Sequence, residues 1–365
     1  KGIRASKGTL FFAFTLLLLG AIDLLWYVSY KTDYVIYKNA YRGYLEAGKM
    51  LALSAFAFVY ISKNRQKIKP QFHVIASTLT QIIIYVVAAY QYFWLHAQRI
   101  PLSAMDGGID QMGAATIAAY MITFCSLYSS VVYINLISKY KWLIFYINFL
   151  LSFSVIIMTG TRASIFTYPF IIVALLFIQY YKQRLFLAKC VGGICVTLLL
   201  SGLVFNQFVS QRIDALKSDL VHYQDSNDSV SSVGARFSMI MAGFKSAPEG
   251  FAWQSLEQRA DKIIALSKQD PLYLGATDFL NVHMHNDVIE ALSTKGIFGV
   301  VTLLLFYAGL VVYCFSQGRY LLLVFPAAII LFGISDVITH DKPIPAAWLV
   351  CLMLSSLLVK DKEKA

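Results

Sequence analysis

The sequence predicts an all-α, polytopic integral membrane helix bundle with a long helical outer loop. Three observations predict it. The 365-residue chain is 58% apolar and only 14% charged, against roughly 25% charged in an ordinary soluble domain. Its apolar residues fall in ten runs, most of which approach the ~20 residues that cross about 30 Å of hydrocarbon. Most charges sit in the short connections between those runs. Such a composition excludes a disordered or fibrous chain and disfavours a soluble globule. A transmembrane barrel fits poorly, because the runs are continuously apolar where barrel strands alternate over about ten residues.

The expected membrane helices cover residues 9–30, 44–61, 73–95, 112–138, 142–158, 163–181, 185–205, 288–315, 320–338 and 344–359. They divide the chain into a membrane bundle of seven spans (1–205), a helical loop (206–287) and a second bundle segment of three spans with a tail (288–365). Counting Lys and Arg outside the long loop gives 16 on the side that holds both termini, from Lys1, Arg4 and Lys7 to Lys360, Lys362 and Lys364, and 8 on the other. The positive-inside rule then makes both termini cytoplasmic. The net charge of +11 is accounted for by this topology, so no nucleic-acid partner is expected. The five cysteines, Cys125, Cys190, Cys195, Cys314 and Cys351, lie within spans or near cytoplasmic ends, and no disulfide framework is expected. Position 1 is Lys and no leader-type cleavage pattern is present, which suggests that a natural N-terminal stretch is missing.

The loop is polar but keeps helical periodicity. Val209, Ile213, Leu216 and Leu220 form one stripe, and Phe237, Ile240, Met241 and Phe244 form another. A Ser, Asp and Asn-rich break at 224–232 separates them, and a third helix is expected over 253–267. Amphipathic helices of this kind lie at a bilayer surface and suggest a site at the outer interface. A simple lid over the bundle is the alternative.

The densest polar group is His283-Met284-His285-Asn286-Asp287-Val288-Ile289-Glu290, directly before an apolar run. Asp287 with Glu290 three residues on resembles a helix-start capping pair, which would put His285 just outside a helix N-terminus at the membrane surface. The positive end of the helix dipole would help to keep that imidazole neutral and able to accept a proton. On the other reading, Asn286 and Asp287 only cap the helix and the histidines are interfacial. A metal site at His283 and His285 is less expected, because His96, His222 and His340 stand at no recognisable ligand spacing and no outer cysteine is present.

Arg162 occupies a very short outer turn, Thr159-Gly160-Thr161-Arg162-Ala163-Ser164. It runs against the inside bias and asks for an anionic partner, either a substrate or a lipid phosphate reached by snorkelling. Arg212, Arg236 and Arg259 lie on the expected loop helices, and each taken singly reads as a solvated surface charge. A candidate base and several arginines on one face together suggest a phosphate-linked lipid substrate, since guanidinium groups bind phosphate oxygens bidentately. Asp23 and Asp336, near span ends, are candidates for orienting arginines or for interfacial caps.

The segments Ile22-Asp23-Leu24-Leu25-Trp26-Tyr27, Thr161-Arg162-Ala163-Ser164, Gly234-Ala235-Arg236, Val282-His283-Met284-His285-Asn286-Asp287-Val288-Ile289-Glu290 and Lys295-Gly296 resemble the O-antigen ligases of Gram-negative bacteria, within the wider O-antigen ligase and polymerase superfamily. The resemblance runs from about residue 19 to residue 336. It implies a multi-pass protein of the bacterial inner membrane in lipopolysaccharide biosynthesis, with its loop and active site in the periplasm. The activity it implies is a metal-independent, inverting transfer of a glycan from undecaprenyl diphosphate to a sugar hydroxyl of lipid A-core, with no cofactor. Carried over to this sequence, it makes His285 the residue that activates the acceptor and Arg162 and Arg236 the residues that hold the diphosphate. Arg259 and His283 match as further substrate-binding positions. The family usually has twelve spans against the ten read here.

Two other readings share part of this evidence. An O-antigen polymerase would use the same donor with a second carrier-linked glycan as acceptor. A secondary transporter of a lipid or anion would also show many spans and intramembrane charges, but no inverted repeat or pair of broken helices is visible in the sequence.

Overall fold

The computed structural model describes residues 5–63, 68–103, 111–226, 229–316, 318–340 and 343–359. The side chains of Val209, Arg212, Leu220 and His222 lie outside the described residues. So do Lys1, Arg4, Arg65, Lys67, Lys342, Lys360, Lys362 and Lys364 from the charge count, and residues 227 and 228 of the loop break.

Among the described residues the fold is all-α, with no strand. Helices α1 (Lys7–Tyr30), α2 (Val35–Lys63), α3 (Pro70–Ala89), α4 (Gln111–Ile134), α5 (Lys141–Thr159), α6 (Arg162–Tyr180) and α7 (Arg184–Val204) follow the first seven apolar runs. Next come α8 (Asn206–Ser226), α9 (Ser232–Lys245), α10 (Leu256–Gln269), a 3-10 segment (Pro271–Phe279), α11 (Asp287–Ser316), α12 (Val324–Gly333) and α13 (Pro343–Leu358). Among the described residues eight helices are long and apolar enough to cross a membrane, and the protein is a polytopic α-helical membrane protein. A continuous core runs through the bundle, from Phe12 and Leu16 of α1 to Phe124, Phe149, Ile172 and Trp348.

The last two expected spans form short helices, and the first of them is also shorter than its apolar run. The segment Tyr320–Gly333 and the 16-residue α13 reach about 21 and 24 Å at 1.5 Å per residue, less than a full hydrocarbon core. The run expected to continue to residue 338 leaves the helix after Gly333. Asp336, Thr339 and His340 lie in the connection that follows and take polar partners there.

The expected single span at 288–315 is two helical arms joined by a reversal. Gly296 has φ 59° and ψ −154° inside α11, and Tyr307 donates to Asp287 Oδ2 at 2.8 Å across twenty residues. In a straight helix those residues would stand about 30 Å apart. Only glycine fits the turn: its φ lies in the left-handed region, and a Cβ would come within 2.8 Å of the carbonyl oxygens of Gly250 and Ala252. Ile297 N–H donates to Gly250 O at 3.1 Å and Gln254 N–H to Thr294 O at 3.0 Å, tying the reversal to the loop. The second arm, 297–316, still measures about 30 Å.

The long segment is helical, but not quite in the way its stripes suggest. The inward face of α9 is small, formed by Gly234, Ala235, Ser238, Met239, Ala242 and Gly243, while Phe237, Met241 and Phe244 are exposed. Met239 and Ala242 of α9, Ile263 of α10, Tyr273, Ala276 and Met284 make a separate small core. A third cluster fastens this layer to the bundle. Trp26 of α1 packs against Tyr41 and Tyr44 of α2 at ring distances of 5.2 and 4.4 Å and donates from Nε1 to Gln254 O at 2.9 Å. Those aromatic contacts explain why α2 begins at Val35, nine residues before the apolar run. Tyr30 donates to Trp253 O at 3.0 Å and Tyr41 to Glu257 Oε2 at 2.7 Å.

Candidate active site

The His283–Glu290 segment opens the first arm of α11, but its caps differ from the expected pair. Asn286 is the capping residue: its Oδ1 accepts from the N–H groups of Val288 and Ile289, both at 3.0 Å. The Asp287 carboxylate turns into the protein and accepts from Tyr307 Oη at 2.8 Å, Thr339 Oγ1 at 2.8 Å and the Ile338 N–H at 3.1 Å. It thereby pins the 336–340 connection beside the histidines. His285 stands before a helix N-terminus, as expected, yet not at the tip of the fold. Through Asp287 it lies level with the middle of the second arm, on the order of 15 Å back from the Gly296 reversal.

His283 and His285 converge on one carboxylate. His283 Nε2 lies 3.2 Å and His285 Nδ1 3.0 Å from Asp336 Oδ1, and the two rings are 4.8 Å apart. His285 has φ 45°, the left-handed region that a non-glycine residue enters at a cost, and in this conformation both rings meet the same oxygen. Asp336 is 5% exposed, whereas the histidines are about a quarter exposed. Tyr120 of α4 donates to Asp336 Oδ2 at 3.1 Å and the Val337 N–H to Oδ1 at 2.9 Å. Burial alone would raise this carboxyl, but the charge of His285 and the hydrogen bonds from both histidines outweigh it and hold the group well below the usual carboxylate range. Asp336 therefore orients histidines rather than an arginine. Asp23 meets Lys295, with Nζ to Oδ1 at 2.6 Å.

Behind the histidine loop lies a fully buried charged clamp. Glu290 accepts from the Met284 N–H at 2.7 Å, from Arg259 Nη1 at 2.8 Å and from the Tyr44 hydroxyl. Arg259 also donates from Nη2 to Val282 O at 2.7 Å and from Nη1 to Ser293 Oγ at 3.3 Å. One ion pair thus grips the backbone on both sides of His283. The Arg259 side chain is 0% exposed, so it reaches no substrate in this conformation and acts on the loop instead.

Arg162 begins α6 after the turn at Gly160, whose φ of 65° closes α5. Its Nη1 lies 3.1 Å from Asp219 Oδ2 of α8, with both side chains about one fifth exposed. A second arginine shares this turn: Arg99 donates from Nε to Thr159 O at 2.6 Å and from Nη2 to Thr161 Oγ1 at 3.2 Å. The helix that Arg162 starts packs on α12, which leads into Asp336. Arg236, in the second turn of α9, is half-buried and within electrostatic range of Tyr120, the donor to Asp336. The fold therefore gathers His283, His285 and Asp336 in direct contact, brings Arg236 within electrostatic range of Tyr120, and holds Arg162 on α6 against Asp219.

Arg99 and Asp219 are not among the expected site residues, and sequence reasoning does not foresee the clamp role of Glu290 or the pairing of Lys295, although both residues lie in segments with family likeness. Two of them carried a signal: Arg99 is an arginine on the side expected to face outward, before Ile100-Pro101, and Lys295 is a lone cation in an apolar run. It also saw no ligand set for a metal ion, whereas His283, His285 and Asp336 place three ligand atoms within 4.8 Å of one another. Asp336 is some fifty residues away in sequence, so spacing could not disclose it.

In a polytopic membrane protein, a buried carboxylate orienting two part-exposed imidazoles, with arginines on neighbouring helices, is an arrangement that can carry acid–base chemistry on an anionic substrate. The comparisons with known proteins agree on a family. The family model described as O-antigen ligase matches residues 147–304. A protein named O-antigen ligase from Escherichia coli (strain K12) is 29% identical over 346 residues, covering 93% of this chain and 79% of that relative. Both findings bear out the resemblance to the O-antigen ligase family.

Proposed function

We propose that this protein is an O-antigen ligase, a metal-independent, inverting glycosyltransferase of lipopolysaccharide synthesis. It moves a glycan from undecaprenyl diphosphate to a sugar hydroxyl of lipid A-core at the periplasmic face of the bacterial inner membrane. In this reading residues 1–205 and 288–365 are membrane segments with both termini cytoplasmic, and 206–287 are periplasmic. The family likeness supports a ligase-type activity. The observation that carries the chemistry is the 3.0 Å contact of His285 Nδ1 with Asp336 Oδ1. A carboxylate at that distance takes the Nδ1 proton as its hydrogen bond, a tautomer assigned from the network, and leaves Nε2 as the proton acceptor.

The reaction needs no energy source beyond the donor. The acceptor oxygen attacks the anomeric carbon on the face opposite the diphosphate, and its proton passes to His285 Nε2. The bond from the anomeric carbon to the diphosphate oxygen breaks with its electron pair, and the carrier diphosphate departs. Asp336 stabilises the imidazolium that forms, as a buried carboxylate does in hydrolase triads. Arg162 and Arg236 hold the diphosphate and neutralise the charge that grows on it. His283 contacts substrate beside His285, and Arg259 positions both histidines from behind.

Reconstitution of the purified protein with carrier-linked glycan and lipid A-core tests this. His285→Ala should bind donor nearly normally and lose about 10² to 10⁴ in single-turnover rate, while Arg162→Ala should lose both donor affinity and rate. Transfer should survive chelator. A fully active His285→Ala rejects the base. Glycan transfer to a second carrier-linked glycan in place of lipid A-core would make the protein a polymerase.

A further inference from the structure

We propose that His283, His285 and Asp336 also form a binding site for a Zn²⁺-class transition ion, and that occupancy switches transfer off. The switching half rests on His285 being the base; the binding half stands on the geometry alone.

The donor set suits such an ion. Two imidazole nitrogens with one carboxylate oxygen are ligands of zinc and its neighbours, whereas Mg²⁺ and Ca²⁺ prefer shells of oxygen. Metal–ligand lengths of about 2.0 to 2.2 Å place the atoms of a tetrahedral shell roughly 3.4 Å apart. Here the two nitrogen-to-oxygen separations are 3.2 and 3.0 Å, and the three ligand atoms all lie within 4.8 Å. Small movements of the histidine rings close the set. Asp336, the ligand they share, is the fixed one: Tyr120 holds its other oxygen, and Asp287 holds the backbone of Ile338 and Thr339 behind it. Such outer contacts orient metal ligands. The partial exposure of both histidines leaves a way in and room for a fourth, solvent ligand.

Inhibition follows from which nitrogen the ion takes. As a base, His285 carries its proton on Nδ1 and accepts at Nε2. An ion on Nδ1 requires the lone pair there, so the proton of the neutral ring moves to Nε2. The acceptor becomes a donor, and the Asp336 oxygen that would stabilise the imidazolium is taken by the metal. The same three residues cannot hold the ion and run the reaction together.

The test uses the full chain purified in detergent, with Zn²⁺ for binding and Co²⁺ as a spectroscopic probe. Equilibrium dialysis should find one Zn²⁺ per chain, and Co²⁺ should give the intense visible absorption of a four-coordinate site. His283→Ala and Asp336→Asn should each raise the Zn²⁺ dissociation constant at least tenfold, and excess Zn²⁺ should abolish transfer, with EDTA restoring it. Absence of the Co²⁺ spectrum in the wild-type protein, or binding unchanged in both variants, overturns the site and leaves the base assignment intact. Stoichiometric binding with undiminished transfer overturns the switch and, with it, His285 as the base. Stimulation of transfer by Zn²⁺ overturns both the switch and metal-independent catalysis.

Discussion

Lys295 of the first arm of α11 ends on Asp23 of α1, with Nζ 2.6 Å from Oδ1 and neither side chain more than 1% exposed. The ammonium also lies 4.7 Å from the centre of the Tyr44 ring, a cation–π contact that the buried setting strengthens. Lys295 is the residue before the Gly296 reversal, so this pair anchors the fold-back that carries the histidines. Lys295→Met should leave Asp23 buried without a partner and destabilise the protein by about 3–5 kcal/mol, as removal of one member of a buried pair does. Adding Asp23→Leu should recover a large part of that loss. Thermal unfolding midpoints in detergent for the two single variants and the double decide it, and strictly additive losses would show that the pair is not coupled.

How far the sequence discloses this arrangement depends on the distance over which each signal acts. Apolar runs of twenty residues are local and continuous, so α1 to α7 are legible. The reversal is not, because Lys295-Gly296 interrupts its run by two residues and leaves the hydrophobic pattern on both sides unchanged. On α9 periodicity finds an apolar face in Phe237, Met241 and Phe244, but close packing onto Met284 and Ile289 is served by the small face instead. His283, His285, Arg162 and Arg236 stand out by residue type. Their partners Asp336, in the connection after α12, and Asp219, on α8, are distant in sequence, and only tertiary packing brings them in.

Arg259 separates a positioning role from a binding role. Its fork spans Glu290 and the Val282 carbonyl at once, which the single ammonium of lysine does not reproduce. Arg259→Lys should therefore lower single-turnover rate by about tenfold or more while donor affinity stays near normal, since the guanidinium reaches no substrate. Its pH–rate profile should broaden or shift as the histidine loop loosens. A variant that loses donor affinity in step with rate would return Arg259 to the diphosphate.

His340 supplies a pH dependence of stability. It is buried against Tyr44, with ring centres 4.4 Å apart, and makes a 2.7 Å hydrogen bond with Thr339 Oγ1 through Nδ1. Burial, then the charges of Lys295 and His283, hold it well below the ordinary histidine value of 6.5. The unfolded chain takes up this proton more readily than the folded one, so the contribution is complete above about 6.5 and is lost as pH falls towards the folded value. Unfolding midpoints should drop between pH 7.5 and 5.5, and His340→Asn should flatten that drop. An equal fall in both proteins would assign the acid sensitivity to another group.

Asp219 occupies the arginine that the donor is proposed to use. The Arg162–Asp219 contact of 3.1 Å joins α6 to α8, and both side chains are about one fifth exposed, so solvent and an incoming anion can reach the pair. A diphosphate arriving at Arg162 must replace this carboxylate, and the energy of a part-exposed pair, up to about 1 kcal/mol, opposes binding. Asp219→Asn should then tighten donor binding by about two- to fivefold, with single-turnover rate at saturating donor unchanged, and the gain should shrink as salt screens the pair. Titration of carrier-linked donor against the wild type and the variant at low and high salt measures this. Weaker binding by Asp219→Asn would mean that the carboxylate orients Arg162 for the diphosphate and does not compete with it, and unchanged affinity would mean that the pair adds nothing to the donor-free state.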